Sequence, residues 1–174
     1  MRLTDPTHPN AVRMSVDTEV APRDTRADDA LTHPALPVRE CGSCTMCCKT
    51  MSVWEIEKPN NVWCKHVRNY SSCAIYETRP HSCRVFNCLW LRGVGSEAMR
   101  PDRSRVVMVE ASDSAAPDGP KGFAAILDPT RPLAWQEPSM RAFLEQVRDR
   151  YGAIGMALGN RKRVFHAGQP LQTP

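Results

Sequence analysis

The chain carries eight cysteines, Cys41, Cys44, Cys47, Cys48, Cys64, Cys73, Cys83 and Cys88, and every one falls in a single stretch. Thiols so concentrated do one of two things: they pair as disulfides in an oxidising compartment, or they ligate metal as thiolates in a reducing one. The start, Met1-Arg2-Leu3-Thr4-Asp5-Pro6, lacks the apolar core of a secretory signal. No run approaches the roughly twenty apolar residues of a membrane span. The expectation is a cytoplasmic chain with no membrane partner, in which all eight thiols are metal ligands. A lone cysteine is often just a small buried hydrophobe, but that does not explain eight in one segment and none outside it.

Spacing sharpens the chemistry. Cys41-x-x-Cys44-x-x-Cys47 is the loop that many four-iron clusters use, with a fourth thiolate arriving from elsewhere in the chain. Tetrahedral zinc more often uses two separate Cys-x-x-Cys knuckles, and here the later cysteines stand alone. The pattern favours an iron-sulfur cluster, 4Fe-4S, over zinc, which remains the alternative because it also accepts four scattered thiolates. In an extended segment, the vicinal pair Cys47-Cys48 would point to opposite faces and serve two sites. Eight thiolates suffice for two four-thiolate sites, or for one site with auxiliary thiols. His66 and His81 lie among the cysteines and rank below them as ligands.

Charge bears on partners. The formal +4 counts each thiol as neutral. A tetrathiolate zinc site or a four-iron cluster on four thiolates carries about −2, so one site brings the chain to about +2 and two bring it to about zero. That weakens any nucleic-acid reading. Between Cys41 and Arg92 the basic residues Lys49, Lys58, Lys65, Arg68, Arg79, Arg84 and Arg92 outnumber Glu55, Glu57 and Glu77, which suits compensation of thiolate charge. Trp54, Trp63 and Trp90 fall in the same segment and are expected to pack a small core there.

The run Cys41-Gly-Ser-Cys-Thr-Met-Cys-Cys48, followed in order by Trp63-Cys64-Lys65-His66, Cys73-Ala-Ile-Tyr76-Glu-Thr-Arg79-Pro80 and Cys83-Arg84-Val-Phe-Asn-Cys88, resembles the bacterial YkgJ-type cysteine-cluster family over about residues 39 to 92. The segment Arg100-Pro-Asp-Arg-Ser104 is weakly similar as well. The family is described as a zinc- or iron-chelating domain, so the resemblance implies metal binding by the eight cysteines and no defined reaction. A similar cysteine domain occurs in flagellin lysine N-methylases. Their activity does not carry over, because this chain is short and shows neither a glycine-rich dinucleotide fingerprint nor a Cys-x-x-x-Cys-x-x-Cys motif.

The surrounding elements must hold this segment. Residues 1–38, rich in Pro, Thr, Asp and Arg without apolar periodicity, are expected to be a disordered arm. Residues 39–92 form the cysteine-cluster region, with short helices only, one of them expected at 73–79 before Pro80. Residues 93–168 predict a small α+β unit, followed by a tail at 169–174. Arg105–Glu110 and Gly122–Leu127 read as strands. Pro138, Met140, Phe143, Leu144, Val147 and Tyr151, ended by Gly152, mark one amphipathic helix. Ala153–Leu158 and Arg161–His166 around Gly159-Asn160 read as a hairpin. The fold class expected is α+β, a cysteine-rich segment packed with a small antiparallel sheet carrying one helix. Its role is electron transfer or service as an accessory to another enzyme, with a redox or enzyme partner protein. The alternative is a structural zinc module for protein or nucleic-acid interaction. No paired carboxylates and no Ser/His/Asp arrangement mark an enzyme.

Overall fold

From 39 to 92 the chain makes only short elements: α1 (Met46–Thr50), a two-strand ladder of β1 (Val67–Arg68) with β2 (Ser72–Cys73), and α2 (His81–Val85). The computed structural model describes residues 39–111 and 122–174, all within one unit, Leu36–Pro174. The arm expected at 1–38 lies outside the described residues. The short helix expected at 73–79 is a run of turns instead. A helix begins only after Pro80, whose ring-fixed φ of −48° turns the chain into α2.

The α+β unit follows. A one-turn helix, α3 (Pro101–Ser104), leads into β3 (Val106–Ala111), and then come β4 (Gly122–Leu127), α4 (Pro138–Tyr151), β5 (Ala153–Leu158) and β6 (Arg161–His166). The four strands form one sheet in the order β3-β4-β5-β6. The pairs β3/β4 and β5/β6 are antiparallel, but β4 and β5 run parallel. The sheet expected to be antiparallel is therefore mixed. Parallel neighbours need a crossover of roughly a dozen or more residues, and α4 with its flanking turns is that crossover. Pro138 stands in the first turn of α4, and Gly152, at φ +80°, ends it in the left-handed conformation.

Side chains alternate across a strand, so β3 has two faces to bury. Val106 and Met108 join Leu127, Met156 and Phe165 against Met140 and Leu144 of α4. Val107, Val109 and Ile126 face the other way, onto Met46 of α1, Cys88 and Trp90. Cover on both faces explains why Val106-Val107-Met108 is an unbroken apolar run. The backbone joins the same regions, since Leu89 N donates to Met108 O at 2.9 Å. The tail is anchored: Leu171 is buried, and Trp135 Nε1 donates to Thr173 Oγ1 at 3.0 Å.

One buried ion pair ties α1 to the end of β4. Lys49 Nζ lies 2.6 Å from Asp128 Oδ1, which also accepts from Thr130 N at 3.0 Å and Thr130 Oγ1 at 2.8 Å. Asp128 is fully buried. Burial by itself raises its carboxyl pKa, but Lys49 and Thr130 outweigh burial and hold it below the usual range. Removing one partner of such a pair leaves an uncompensated buried charge. Lys49→Met is expected to lower unfolding free energy by about 3–5 kcal/mol in urea titrations. Lys49→Met/Asp128→Asn should recover part of that loss. A folded-state pKa below the unfolded value contributes stability that is present above the ordinary carboxylate range and lost as pH falls through the lowered value. Asp128→Asn should therefore flatten the acid limb of stability against pH, measured by thermal melts in acid buffers.

Candidate metal centre

The first cysteines are placed by a tight turn. Cys44 N donates to Cys41 O at 2.8 Å, and Gly42 takes φ +51° inside that turn, where a side chain would be strained. Cys47 and Cys48 lie in α1 rather than in an extended segment. Neighbours on a helix are about 100° apart, not opposed. Each acts on the other's thiol, Cys48 raising Cys47 and Cys47 lowering Cys48.

The later cysteines are hung on this helix. Cys64 N donates to Cys48 O at 3.0 Å, and Thr45 Oγ1 donates to Tyr70 O at 2.6 Å in the turn between β1 and β2. Those two bonds fix the segment that carries Cys64 and Cys73. Cys83 stands in α2, whose start is held by the Glu55 carboxylate, accepting from Ser82 N at 2.8 Å and Ser82 Oγ at 2.6 Å. Cys88 is set beside β3 by the Leu89–Met108 hydrogen bond.

All eight cysteines line one cavity of about 540 Å³. None is in a disulfide. A single water-sized sphere needs only about 10–15 Å³, so the space is built for something much larger than one atom. The donor chemistry suits soft metal: thiolates select iron-sulfur clusters and zinc. As the side chains stand, no group of three or more His, Cys, Asp or Glu among the described residues closes around a single ion. The thiols face a space rather than a point. His66 lines that space and His81 does not. Trp90 lines it and is buried, whereas Trp54 is 79% exposed and Trp63 stacks edge-on with Tyr70 at 4.9 Å.

Burial pushes up the thiols of Cys41, Cys44, Cys83 and Cys88. Cys88 and Cys48 raise Cys41 further, and Cys48 and Cys64 do the same to Cys83. Cys47 is raised by its hydrogen bond to Cys48 and then by burial. Cys48 alone among these goes down, to about 7, because it accepts that bond and lies near Lys58.

The expected charge compensation is present but differently allotted. Lys49 and Arg92 are engaged by carboxylates, Asp128 and Glu110, the latter at 2.6 Å. Lys58, Arg79 and Arg84 line the cavity. Lys58 is buried, and its ammonium donates to the carbonyls of Lys49, Met51 and Pro59. Burial lowers its pKa, while Cys64, Cys48, Cys47 and Cys83 oppose that by favouring the charge. Arg100 is a residue that the spacing of the cysteines does not reveal. Its Nη2 donates to Cys41 O at 3.3 Å and Ser43 Oγ at 2.8 Å, and its charge acts on the Cys41 and Cys44 thiols. The only sequence signal for it was the weak similarity over residues 100–104.

Comparisons with protein-family models, with curated proteins and with solved structures find no match. The family resemblance rests on the quoted motifs alone.

In protein stripped of metal, alkylation by iodoacetamide near pH 7 is expected first at Cys48, since reactivity follows the thiolate fraction. Cys47→Ala should shift that reactivity to higher pH. Peptide mapping by mass spectrometry across pH 6–9 checks this, and faster labelling of Cys83 than of Cys48 at neutral pH would refute it.

Proposed function

We propose that this chain is an iron-sulfur protein of the reducing cytoplasm, its cysteines serving as thiolate ligands. The observation that carries the proposal is that all eight cysteines, spread from Cys41 to Cys88, face one cavity. Disulfides and spare core thiols do not require that convergence. The cations Lys58, Arg79 and Arg100 beside the thiols support it further, because they offset the negative charge that metal binding leaves on sulfur. A closed zinc site needs four sulfurs about 3.8 Å apart, from a Zn–S bond of about 2.3 Å in a tetrahedron. The Cys41-x-x-Cys44-x-x-Cys47 loop, with later thiolates arriving singly, favours a four-iron cluster over such a site. A cluster among Trp90 and the buried apolar residues would be partly shielded from water, an environment that sets reduction potential. The role that fits is electron transfer, or accessory service to another enzyme, with a protein partner and without nucleic acid. No helix among the described residues is long and apolar enough to cross a membrane.

The test is anaerobic purification from iron-replete cells. Expected is brown protein containing iron and acid-labile sulfide, with broad visible absorption that dithionite bleaches. Colourless protein with stoichiometric zinc would refute the iron assignment.

A further inference from the structure

The thiols reach the cavity from two parts of the fold. Cys41, Cys44 and Cys47 come from the turn and first residues of α1. Cys88 comes from beneath β3, and both Cys44 and Cys88 pack into the apolar cluster of Met46, Trp90 and Val107. The thiols acting on Cys47 are Cys48, its chain neighbour, and then Cys41 and Cys44, while Cys88 and Cys48 act on Cys41. The remaining four are linked to one another by a different set of contacts. Cys48 binds Cys64 through the backbone, and Cys64 O in turn accepts from Val67 N at 3.0 Å. Val67 is the ladder partner of Cys73. Cys83 has Cys48 and Cys64 as its thiol neighbours. Cations flank both sets: Arg100 and Arg79 act on Cys41, while Lys58 interacts with Cys64, Cys48, Cys47 and Cys83, three of which belong to the second group.

We propose that the eight cysteines form two four-thiolate metal centres, an inner one of Cys41, Cys44, Cys47 and Cys88 and an outer one of Cys48, Cys64, Cys73 and Cys83. This rests on thiolate ligation as proposed above. The inner set is the Cys-x-x-Cys-x-x-Cys loop completed by a distant fourth ligand, and the structure assigns that fourth position to Cys88. The vicinal pair divides between the centres at one helical step of about 100°. Two adjacent anionic centres repel, and the cations beside them reduce that cost. A cavity of about 540 Å³ has room for both.

Iron, sulfide and zinc are counted on the full chain after anaerobic purification and reconstitution. About eight iron and eight sulfide per chain are expected if both centres are four-iron clusters. Cys88→Ala and Cys83→Ala should each retain about half the metal, and the double variant almost none. About four iron and one zinc also supports two centres. About four iron with no zinc overturns the division and leaves the iron-sulfur assignment standing. About two zinc and no iron keeps the division and overturns iron. A chain that binds no metal overturns both. The count on the unsubstituted chain decides the number of centres even if a variant misfolds. Where the variants fold, loss of all metal from either single substitution overturns the assignment of ligands.

Discussion

The cysteine region has no core of its own, and everything about the candidate site follows from how it obtains one. Its helices are a turn or so long and its ladder has two residues per strand. Elements this short do not persist alone in water. The second face of β3 supplies what is missing: Val107, fully buried, is covered by Met46, Cys88 and Trp90. Polar links join the same two regions. Lys49 reaches Asp128, Leu89 pairs with Met108, and Arg39 donates to the carbonyls of Trp90 and Gly95 at 3.0 and 2.7 Å. The Arg39 guanidinium also lies 4.9 Å from the centre of the Trp90 ring. The sheet is thus both the hydrophobic partner of α4 and the floor on which the thiols are assembled.

Electrostatics divides the basic residues by task. A fully buried carboxylate at the end of β4 requires a cation, and the lysine that follows Cys48 provides it. That lysine is then unavailable to the thiols, and Lys58 takes the place beside them. Its ammonium donates to backbone carbonyls, and the charge is favoured by Cys64, Cys48, Cys47 and Cys83. Burial lowers the pKa of this lysine, and the neighbouring sulfurs oppose that shift. Cys48 is pulled down to about 7, first by Cys47 and then by this lysine, while the other shifted thiols go up.

Much of the α+β unit was legible because its signals are local. Short apolar runs mark β3 and β4, the Gly159-Asn160 turn marks the hairpin of β5 and β6, and Pro138 and Gly152 bound α4 at the residues where the structure starts and ends it. The parallel pairing of β4 with β5 was not legible, because strand order is settled by where α4 packs and not by the strand sequences. The helix misplaced at 73–79 has a similar origin. Residues 73–77 have ordinary helix-compatible types, but Cys73 is held in the ladder with Val67 and the chain after it turns. The vicinal cysteines would be opposed only on an extended backbone, and α1 replaces that with a helical step.

By itself the sequence determined the inventory: eight thiols in one segment, their spacing, the excess of basic residues around them, and the strands and helix that follow. Those are properties of neighbours along the chain. Only the tertiary structure decided that Cys41 and Cys88 face the same space, that Lys49 serves Asp128 while Lys58 and Arg100 serve the thiols, and that β3 is the shared wall. Each of these joins residues far apart in sequence. Such contacts depend on which face of a strand or helix is buried and against what, which local residue types do not specify.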